Sequence, residues 1–260
     1  MFLYYLKKLI VSPATYIAAG ILSLTMILGA EPGSPVYPVY LFDATFAIGG
    51  TGATFFLPVA AALPIAYLRH TLHKGAAWQL PLLRGTPLRD TLGGLGAAFV
   101  SGVLVFLLSA AAFHLYVVLV LPGPVSYDVT LYNSYNYFYY HLPVRVAYLV
   151  RIGVYAVSAG MYAIFAYGVS SLTANQYICA ASAFAFSLTA STFIAIIGQV
   201  IPERYRFAFW ALDPGTCHNY STVSLTKDGG LIHLACYVLV IALLSGGLFW
   251  LRLKKRLKNG

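Results

Sequence analysis

The stretch that decides the fold is "IGVYAVSAGMYAIFAYGVSSLTANQYICAASAFAFSLTASTFIAIIGQVIP", residues 152–202. Its 51 residues include no Asp, Glu, Lys or Arg. As a single α-helix it would extend about 77 Å, whereas the hydrocarbon core of a membrane is roughly 30 Å thick. It must therefore fold back on itself, and the polar segment "SSLTANQ" (Ser170–Gln176) is typical of a turn. We expect two membrane-spanning helices here, over residues 146–169 and 177–201.

The composition of the whole chain agrees with this. Of its 260 residues, 60% are hydrophobic and only 9% are charged, and the mean hydropathy is +0.79. A soluble domain carries about 25% charged residues, so the composition excludes an ordinary soluble fold. The formal net charge of +9 could indicate nucleic acid, but the basic residues flank the apolar runs, which is the pattern of membrane topology. We therefore expect a lipid bilayer, and no nucleic acid, around this chain.

Runs of about 20 mostly apolar residues, the length that crosses a bilayer, occur six times. The predicted fold class is all-α: a polytopic integral membrane protein whose residues 1–260 form a single transmembrane domain. The six predicted spans cover residues 13–30, 44–68, 91–121, 146–169, 177–201 and 231–251.

The distribution of charge predicts the orientation. With both termini in the cytoplasm, the inner side carries eleven basic residues and one acid, whereas the outer side carries five basic residues and six acids. Because cytoplasmic loops are enriched in Lys and Arg, we expect both termini to be cytoplasmic. We expect the protein in the inner (cytoplasmic) membrane of the cell. The turn at residues 170–176 has no charge, so its inner placement follows only from the alternation of spans.

The chain begins with "MFLYYLKKLIVS", residues 1–12. Apolar residues recur there at helical spacing and Lys7 and Lys8 are left for the headgroups, which predicts a short interfacial helix. A cleaved signal peptide is the alternative, since the two lysines precede an apolar run ending in "ILGAEP". We favour the interfacial helix, because that run is longer than the usual 7–15 apolar residues of a signal peptide.

The inner segment "RHTLHKGAAWQLPLLRGTPLRD", residues 69–90, combines leucines and a tryptophan with four basic residues. One interpretation is a surface helix at the headgroups, and the other is a docking element for a cytoplasmic partner. Its end, "TPLRD", has Thr86 as a potential N-cap and Pro87 as the first helical residue, which predicts the start of the next helix.

The opening "YLKKLIVSPATYI", the segment "LPLLRGTPLRDTLGG" and the basic tail resemble the type-2 class of ABC transporter permeases, along nearly the whole chain. The resemblance implies a six-helix half-transporter with an amphipathic N-terminal helix. It also implies a coupling helix, Thr71 to Leu83, within the cytoplasmic coupling loop 69–90, seated in a groove of an ATPase. The implied coupling residues are Thr71, Leu72, His73, Lys74, Trp78, Leu80, Leu82, Leu83 and Arg84.

The implied function is export of an amphiphilic substrate (drug, peptide, lipid or glycan), and not enzymatic activity. No G-x-x-x-x-G-K-[ST] phosphate loop occurs in the 260 residues, so ATP and Mg are expected on separate ATPase subunits, with no cofactor on this chain. A second permease subunit, identical or related, is expected to complete the pathway. The alternatives are a stand-alone carrier, which needs an ionisable site within the membrane, and a membrane-embedded enzyme, which needs clustered carboxylates or histidines.

Few polar residues suggest a site. No carboxylate lies within a predicted span, which argues against a proton- or sodium-coupled carrier. Arg151, near the start of the fourth span, either extends to the outer headgroups or is a charge in the pathway, and we favour the first. Asp213, Cys217 and His218 are the nearest approach to a polar cluster, but one adjacent Cys and His are typical of a loop rather than of a metal site.

The predicted outer loop, residues 121–145, contains "YNSYNYFYYH" (residues 132–141). Alternation in "VSYDVTLY" favours a hairpin, with a helix as the alternative. Because tyrosines suit the headgroup level, we expect an interfacial girdle. A lid that contacts exported substrate and a protein-binding surface are the other two interpretations. The candidate substrate or exit contacts are Tyr135, Tyr137, Tyr139, Tyr140 and Arg151.

Overall fold

A computed structural model describes residues 1–30, 41–42, 45–46, 52–74, 87–121, 125, 144–202, 213–214 and 229–259. Seven long helices account for nearly all of these described residues. They are α1 (Phe2–Val11), α2 (Pro13–Leu28), α3 (Ala53–Lys74), α4 (Pro87–Leu119), α5 (Val144–Val169), α6 (Gln176–Val200) and α7 (Gly229–Asn259).

Five of these helices, α3 to α7, are long and apolar enough to cross a membrane. A sixth candidate is the pair of α1 and α2, which meet at an angle of 58°. By itself α2 has 16 residues, or about 24 Å. The prediction of an all-helical protein with membrane-protein character is thus confirmed for the described residues, as an all-helical bundle with five candidate spans.

The break between α1 and α2 follows from Pro13, the first residue of α2. Proline disfavours the helical conformation for the residue before it, and Ser12 has extended dihedral angles, φ −68° and ψ 130°. The Ser12 Oγ accepts a hydrogen bond from the Ala14 N–H at 3.3 Å, and the Thr15 Oγ1 donates to the Leu9 carbonyl at 2.6 Å. The polar groups exposed by the break are therefore bonded locally, and a separate first helix is confirmed.

The second predicted span, 44–68, differs from the structure at both ends. α3 begins only at Ala53, directly after Gly52, whose φ of +84° favours glycine. The residues between α2 and Gly52 that the structure describes are helical and buried. They are Leu41, Phe42, Thr45 and Phe46. At its other end α3 continues past residue 68 to Lys74.

This longer α3 changes the predicted coupling segment. Thr71, Leu72, His73 and Lys74 form the last turn of α3, so a separate helix does not start at Thr71. The Thr71 hydroxyl donates to the Leu68 carbonyl at 2.8 Å, a bond of the continuing helix. Trp78, Leu80, Leu82, Leu83 and Arg84 lie outside the described residues. The helix start predicted at "TPLRD" is confirmed, since α4 begins at Pro87.

The turn predicted within the charge-free stretch is confirmed. α5 ends at Val169 and α6 begins at Gln176. Asn175 caps α6 through its side-chain oxygen, which accepts from the Tyr177 N–H at 2.9 Å and the Ile178 N–H at 3.4 Å. Asn is among the strongest N-cap residues, so local chemistry sets this helix start.

Helix α5 is the most buried of the five candidate spans, and it contacts α3, α4, α6 and α7. Its packing on α4 is close, because a Cβ at Gly102 would lie 2.5 Å from the Ala159 carbonyl oxygen. In a membrane no hydrophobic effect drives helices together, so association depends on close packing. Small residues allow the helix backbones to approach in this way. α7 runs to Asn259, eight residues past the predicted end of the sixth span at 251.

The bundle has two ends, which we name by their connections. At the α3–α4 end, α3 ends and α4 begins. The α5–α6 turn lies at the same end, since the His70 Nδ1 is 3.0 Å from the Ala174 carbonyl oxygen. At the opposite, α4–α5 end, α4 finishes and α5 starts.

Candidate functional site

A guanidinium is buried between aromatic rings at the α3–α4 end. Arg69, five residues before the end of α3, is only 8% exposed. Its guanidinium carbon lies 4.6 Å from the ring centroid of Phe249 in α7 and 5.6 Å from that of Tyr167 in α5. The two rings stack on each other with their centroids 4.4 Å apart. Because cation–π contacts strengthen away from water, to about 2 kcal/mol, Arg69 ties the end of α3 to α5 and α7.

A buried carboxylate lies in the same region. Asp90, in the first turn of α4, is 3% exposed and accepts a hydrogen bond of 2.8 Å from the Tyr5 hydroxyl of α1. One turn further along α4, a Cβ at Gly94 would collide with the Tyr167 hydroxyl. Tyr5, Asp90 and Tyr167 therefore meet on one side of α4. We call Tyr5, Arg69, Asp90, Tyr167 and Phe249 the buried-charge cluster.

The cluster holds Tyr5 in its protonated form. Tyr5 lies in α1, the helix that the sequence predicts to be interfacial. Its burial raises the pKa of the phenol above the ordinary value, the negative Asp90 carboxylate raises that pKa further, and the nearby Arg69 guanidinium opposes the rise. Tyr5 is therefore a hydrogen-bond donor to Asp90 at any physiological pH.

Two polar atoms of the cluster are enclosed without a partner. The Arg69 Nε and the Tyr167 hydroxyl oxygen have no hydrogen bond to any residue that the structure describes. A buried donor without an acceptor costs about 1–3 kcal/mol, and more where the group is charged. The cluster is thus incompletely satisfied, although its aromatic packing is tight.

Arg151 is buried at the opposite end of the bundle. It is 5% exposed, and its guanidinium carbon lies 5.3 Å from the Tyr155 ring centroid. The interpretation that we favoured, an arginine extended to the headgroups, does not agree with this burial, since the protein encloses the side chain. Nearby, the Tyr148 hydroxyl lies 3.5 Å from the His114 Nδ1.

Arg151 adjoins a cluster of aromatic rings in this half of the bundle. The Phe42 ring lies at the centre of the cluster, with five other ring centroids 5.4 to 6.3 Å away. Those rings belong to Phe46, Phe106, Phe113, Tyr148 and Tyr155. All six side chains are 5% exposed or less, so this half of the bundle is a packed aromatic core.

Asp213, one of the six acids that the charge distribution assigns to the outer side, lies against the middle of α6. The Ser191 hydroxyl donates to its Oδ1 at 2.5 Å, and Ser191 lies nine residues, or about 14 Å, before the end of α6. The next residue, Pro214, is buried, and its carbonyl accepts from the Tyr162 hydroxyl of α5 at 3.2 Å. Asp213 and Pro214 therefore lie beside the middle of α6 and α5, and Asp213 brings a carboxylate against a candidate span.

One face of α6 is exposed and partly polar. Along the apolar stretch of α6 only 17% of the residues are buried by the rest of the chain, against 67% in α5. Residues four or three apart share a helix face, and the exposed set at that spacing includes two threonines and a glutamine. We call this set the α6 face: Ala181, Ala185, Thr189, Thr192, Ile196 and Gln199.

Several predicted site residues lie outside the described part of the chain. Tyr135, Tyr137, Tyr139 and Tyr140, the hairpin that was to contain them, and Cys217 and His218 are in this group. Among the described residues, no three His, Cys, Asp or Glu side chains come together as a potential metal site. The coupling and exit roles predicted from the sequence stay predictions.

The sequence interpretation missed the buried-charge cluster. It counted Arg69 and Asp90 only as charges of the predicted inner segment 69–90. One signal was present: Asp90 is the single acid among eleven basic residues on the predicted inner side. Its partner Tyr5 is 85 residues away along the chain, and no local pattern connects the two.

No protein-family model matches this chain, and no curated protein is significantly similar to it.

Proposed function

We propose that the chain is the permease subunit of an ATP-driven exporter of the type-2 ABC class, located in the inner membrane of the cell. In this proposal α2 to α7 are six spans, α1 is an interfacial helix, and both termini and the α3–α4 end are cytoplasmic. The substrate class is amphiphilic: a drug, peptide, lipid or glycan.

The observation that carries the proposal is the anchoring of the connection between α3 and α4, residues 75–86. Near one of its ends Arg69 packs on Phe249 of α7, and near the other Asp90 is bonded to Tyr5 of α1. A connection with both ends held by buried contacts can transmit a push into several helices at once. A coupling loop that rests on an ATPase requires this property.

The α6 face supports a second subunit. Thr189, Thr192 and Gln199 present polar groups outward on a helix of membrane-spanning length. Polar groups without partners are costly in hydrocarbon, and they are favourable against another protein or along an aqueous path. In this proposal two permease chains meet at or near this face and alternate their access to the two sides. Closure of two ATP-bound ATPases against the coupling loops supplies the energy.

The experiment is co-purification with an ATPase. The tagged chain is isolated from native membranes in mild detergent, and the partners and the ATP hydrolysis of the complex are measured. We expect an ABC ATPase in the wild-type complex. We also expect its loss when Trp78 and Leu82 are changed to Asp, because charging an anchor residue in an apolar groove costs about 2 kcal/mol or more.

The matched control is Leu172→Asp in the α5–α6 turn. Leu172 is 51% exposed at the same end of the bundle but outside the predicted coupling segment. It should leave the ATPase bound. An isolated chain with no ATPase and no ATP hydrolysis, or equal binding by all variants, would contradict the proposal.

The orientation has its own test. A cysteine in place of Leu172 or Lys254, both exposed, should react with a membrane-impermeant thiol reagent from the cytoplasmic side only. Reaction from the outside of intact cells would reverse the proposed topology.

A stand-alone carrier is the second candidate, and Asp213 favours it. An intramembrane carboxylate is a typical element of proton-coupled transport, and Asp213 is bonded to Ser191 in the middle of α6, one of the proposed spans. The co-purification separates the two functions. A carrier would be isolated without an ATPase, and its transport in proteoliposomes would follow an imposed pH gradient and be lost in Asp213→Asn.

A further inference from the structure

Asp90 has more potential partners than the one it uses. Its Oδ1 accepts from Tyr5, while the Arg69 Nε and the Tyr167 hydroxyl are enclosed without a hydrogen-bond partner among the described residues. Asp90 and Arg69 are 3% and 8% exposed, so neither can rely on water. A buried guanidinium N–H and a buried hydroxyl that both lack an acceptor are costly.

The unused donors lie close to the same part of α4. The Tyr167 hydroxyl abuts Gly94, which is one turn from Asp90 and therefore on the same face of α4. The Arg69 guanidinium lies 5.6 Å from the Tyr167 ring centroid. Arg69 and Asp90 also both act on the pKa of Tyr5, in opposite directions. The cluster therefore has three potential donors, Tyr5, Tyr167 and Arg69, for the single carboxylate of Asp90.

The packing of α1 on α4 keeps the Asp90 carboxylate bonded to Tyr5. Tyr5 and Leu9 are 2% and 0% exposed. The Phe2 backbone nitrogen and ring press on α4 so closely that a Cβ at Gly93 or Gly96 would lie 2.9 or 3.3 Å from them. A guanidinium can donate two parallel hydrogen bonds to a carboxylate and carries the opposite charge, whereas a phenol donates one hydrogen bond and is neutral. The docked position of α1, rather than the phenol alone, therefore holds Asp90 away from Arg69.

We propose that Asp90 exchanges partners: when α1 moves off α4, Asp90 leaves Tyr5 and pairs with Arg69. In the present structure the two ends of the 75–86 connection are held by different helices, by α7 through Phe249 and by α1 through Tyr5. After the exchange the ends of α3 and α4 are joined directly. The position of α1 thereby determines whether the two ends of the 75–86 connection are held by other helices or by each other. The exchange does not rest on the transport proposal.

A thermal-unfolding cycle on the purified full chain in nanodiscs tests the exchange. Cys179 is buried and Cys236 is exposed. In a background with Cys217 and Cys236 changed to Ser, a thiol-reactive dye reaches Cys179 only when the protein unfolds, and its fluorescence therefore reports unfolding. We expect Arg69→Met to lower the midpoint by about 3 °C more in a Tyr5→Phe background than in the wild type, because Tyr5→Phe releases Asp90 to Arg69. Adding Asp90→Asn should abolish this extra loss.

The controls are matched in residue type. Tyr4→Phe changes a neighbouring tyrosine that is 40% exposed, and Arg252→Met removes an exposed arginine at the same end of α7. Equal effects of Arg69→Met in both backgrounds would overturn the exchange. An extra loss that persists with Asp90→Asn would also overturn it, since Arg69 would then be meeting another anion, such as a lipid phosphate.

A distance measurement keeps the proposal testable if a variant unfolds too easily for the cycle. Spin labels at Leu3→Cys in α1 and Leu92→Cys in α4, 76% and 58% exposed, should give one distance in the wild type. Tyr5→Phe should add a longer distance, and Arg69→Met should remove it again. A single distance in every variant contradicts the exchange. No transport is measured in either experiment, so a negative result leaves the proposed function standing.

Discussion

Residues 152–169 of α5 and the whole of α6 come from one uninterrupted charge-free stretch, yet the two helices have opposite places in the molecule. In α5, Tyr155, Tyr162 and Tyr167 are each 1% exposed or less, whereas Tyr177 in α6 is 75% exposed. α5 contacts four other long helices, while α6 leaves a polar face uncovered. An apolar composition therefore shows that a helix suits a membrane. Whether the helix is buried in the bundle or available to a partner depends on its contacts with other helices.

The largest expected effect separates two tyrosines of these helices. Tyr167→Ala should lower the free energy of unfolding by about 3 kcal/mol, because it removes a fully buried ring stacked on Phe249 and leaves a cavity. Tyr177→Ala, at an exposed site, should change it by less than about 0.5 kcal/mol. Unfolding of both variants in detergent by a chemical denaturant measures the difference. Similar losses for the two variants would break the comparison.

A second pair tests overpacking in the same way. A Cβ at Gly160 of α5 would lie 2.5 Å from the Phe99 ring, so Gly160→Leu should cost about 1–3 kcal/mol. Ala185→Leu adds volume to the exposed α6 face and should leave folding unchanged. The readout is the yield of monodisperse protein and its unfolding midpoint. Tolerance of leucine at Gly160 would mean that α5 is less tightly packed than the structure indicates.

The smallest effect concerns the hydroxyl groups of the α6 face. Changing Thr189 and Thr192 to Val should leave stability intact and weaken pairing between chains by about 0.6 kcal/mol for each hydroxyl, the average for side-chain hydrogen bonds between membrane helices. Thr25→Val in α2 is the control, because the Thr25 hydroxyl already donates to the Leu22 carbonyl of its own helix at 2.8 Å. Energy transfer between labelled chains in liposomes measures the pairing. Equal pairing by the double variant and the control would argue against a role of the α6 face.

The helix boundaries that the sequence predicts best are set by neighbouring residues. Pro13 separates α1 from α2, Pro87 is the first residue of α4, and Asn175 caps the start of α6. Capping and proline chemistry act over only a few positions, so the sequence alone reveals these boundaries. The errors arise where α3 extends on into the predicted coupling segment and where α7 continues to Asn259. Helix-forming residues there continue the pattern without a stop signal.

Burial was not predictable from the same pattern. In a membrane, lipid and protein interior are both apolar, so the sequences of α5 and α6 do not tell which is central. Arg151 was expected at the headgroups from its position alone, and the structure encloses it. The bond between Tyr5 and Asp90, and the return of Asp213 to α6, depend on contacts between residues distant along the chain. Only the folded structure supplies them.

The most direct test of the account asks what covers the α6 face, since the proposed permease is one half of a pair. A photo-crosslinking amino acid is placed at Thr192 in α6 or, as the control, at Leu149 in α5, which is 66% exposed. Both variants are irradiated in native membranes, and the crosslinked species are identified by mass spectrometry. We expect Thr192 to capture a second permease chain, identical or related, and Leu149 to capture mainly lipid. Capture of lipid alone at both positions would contradict the paired permease.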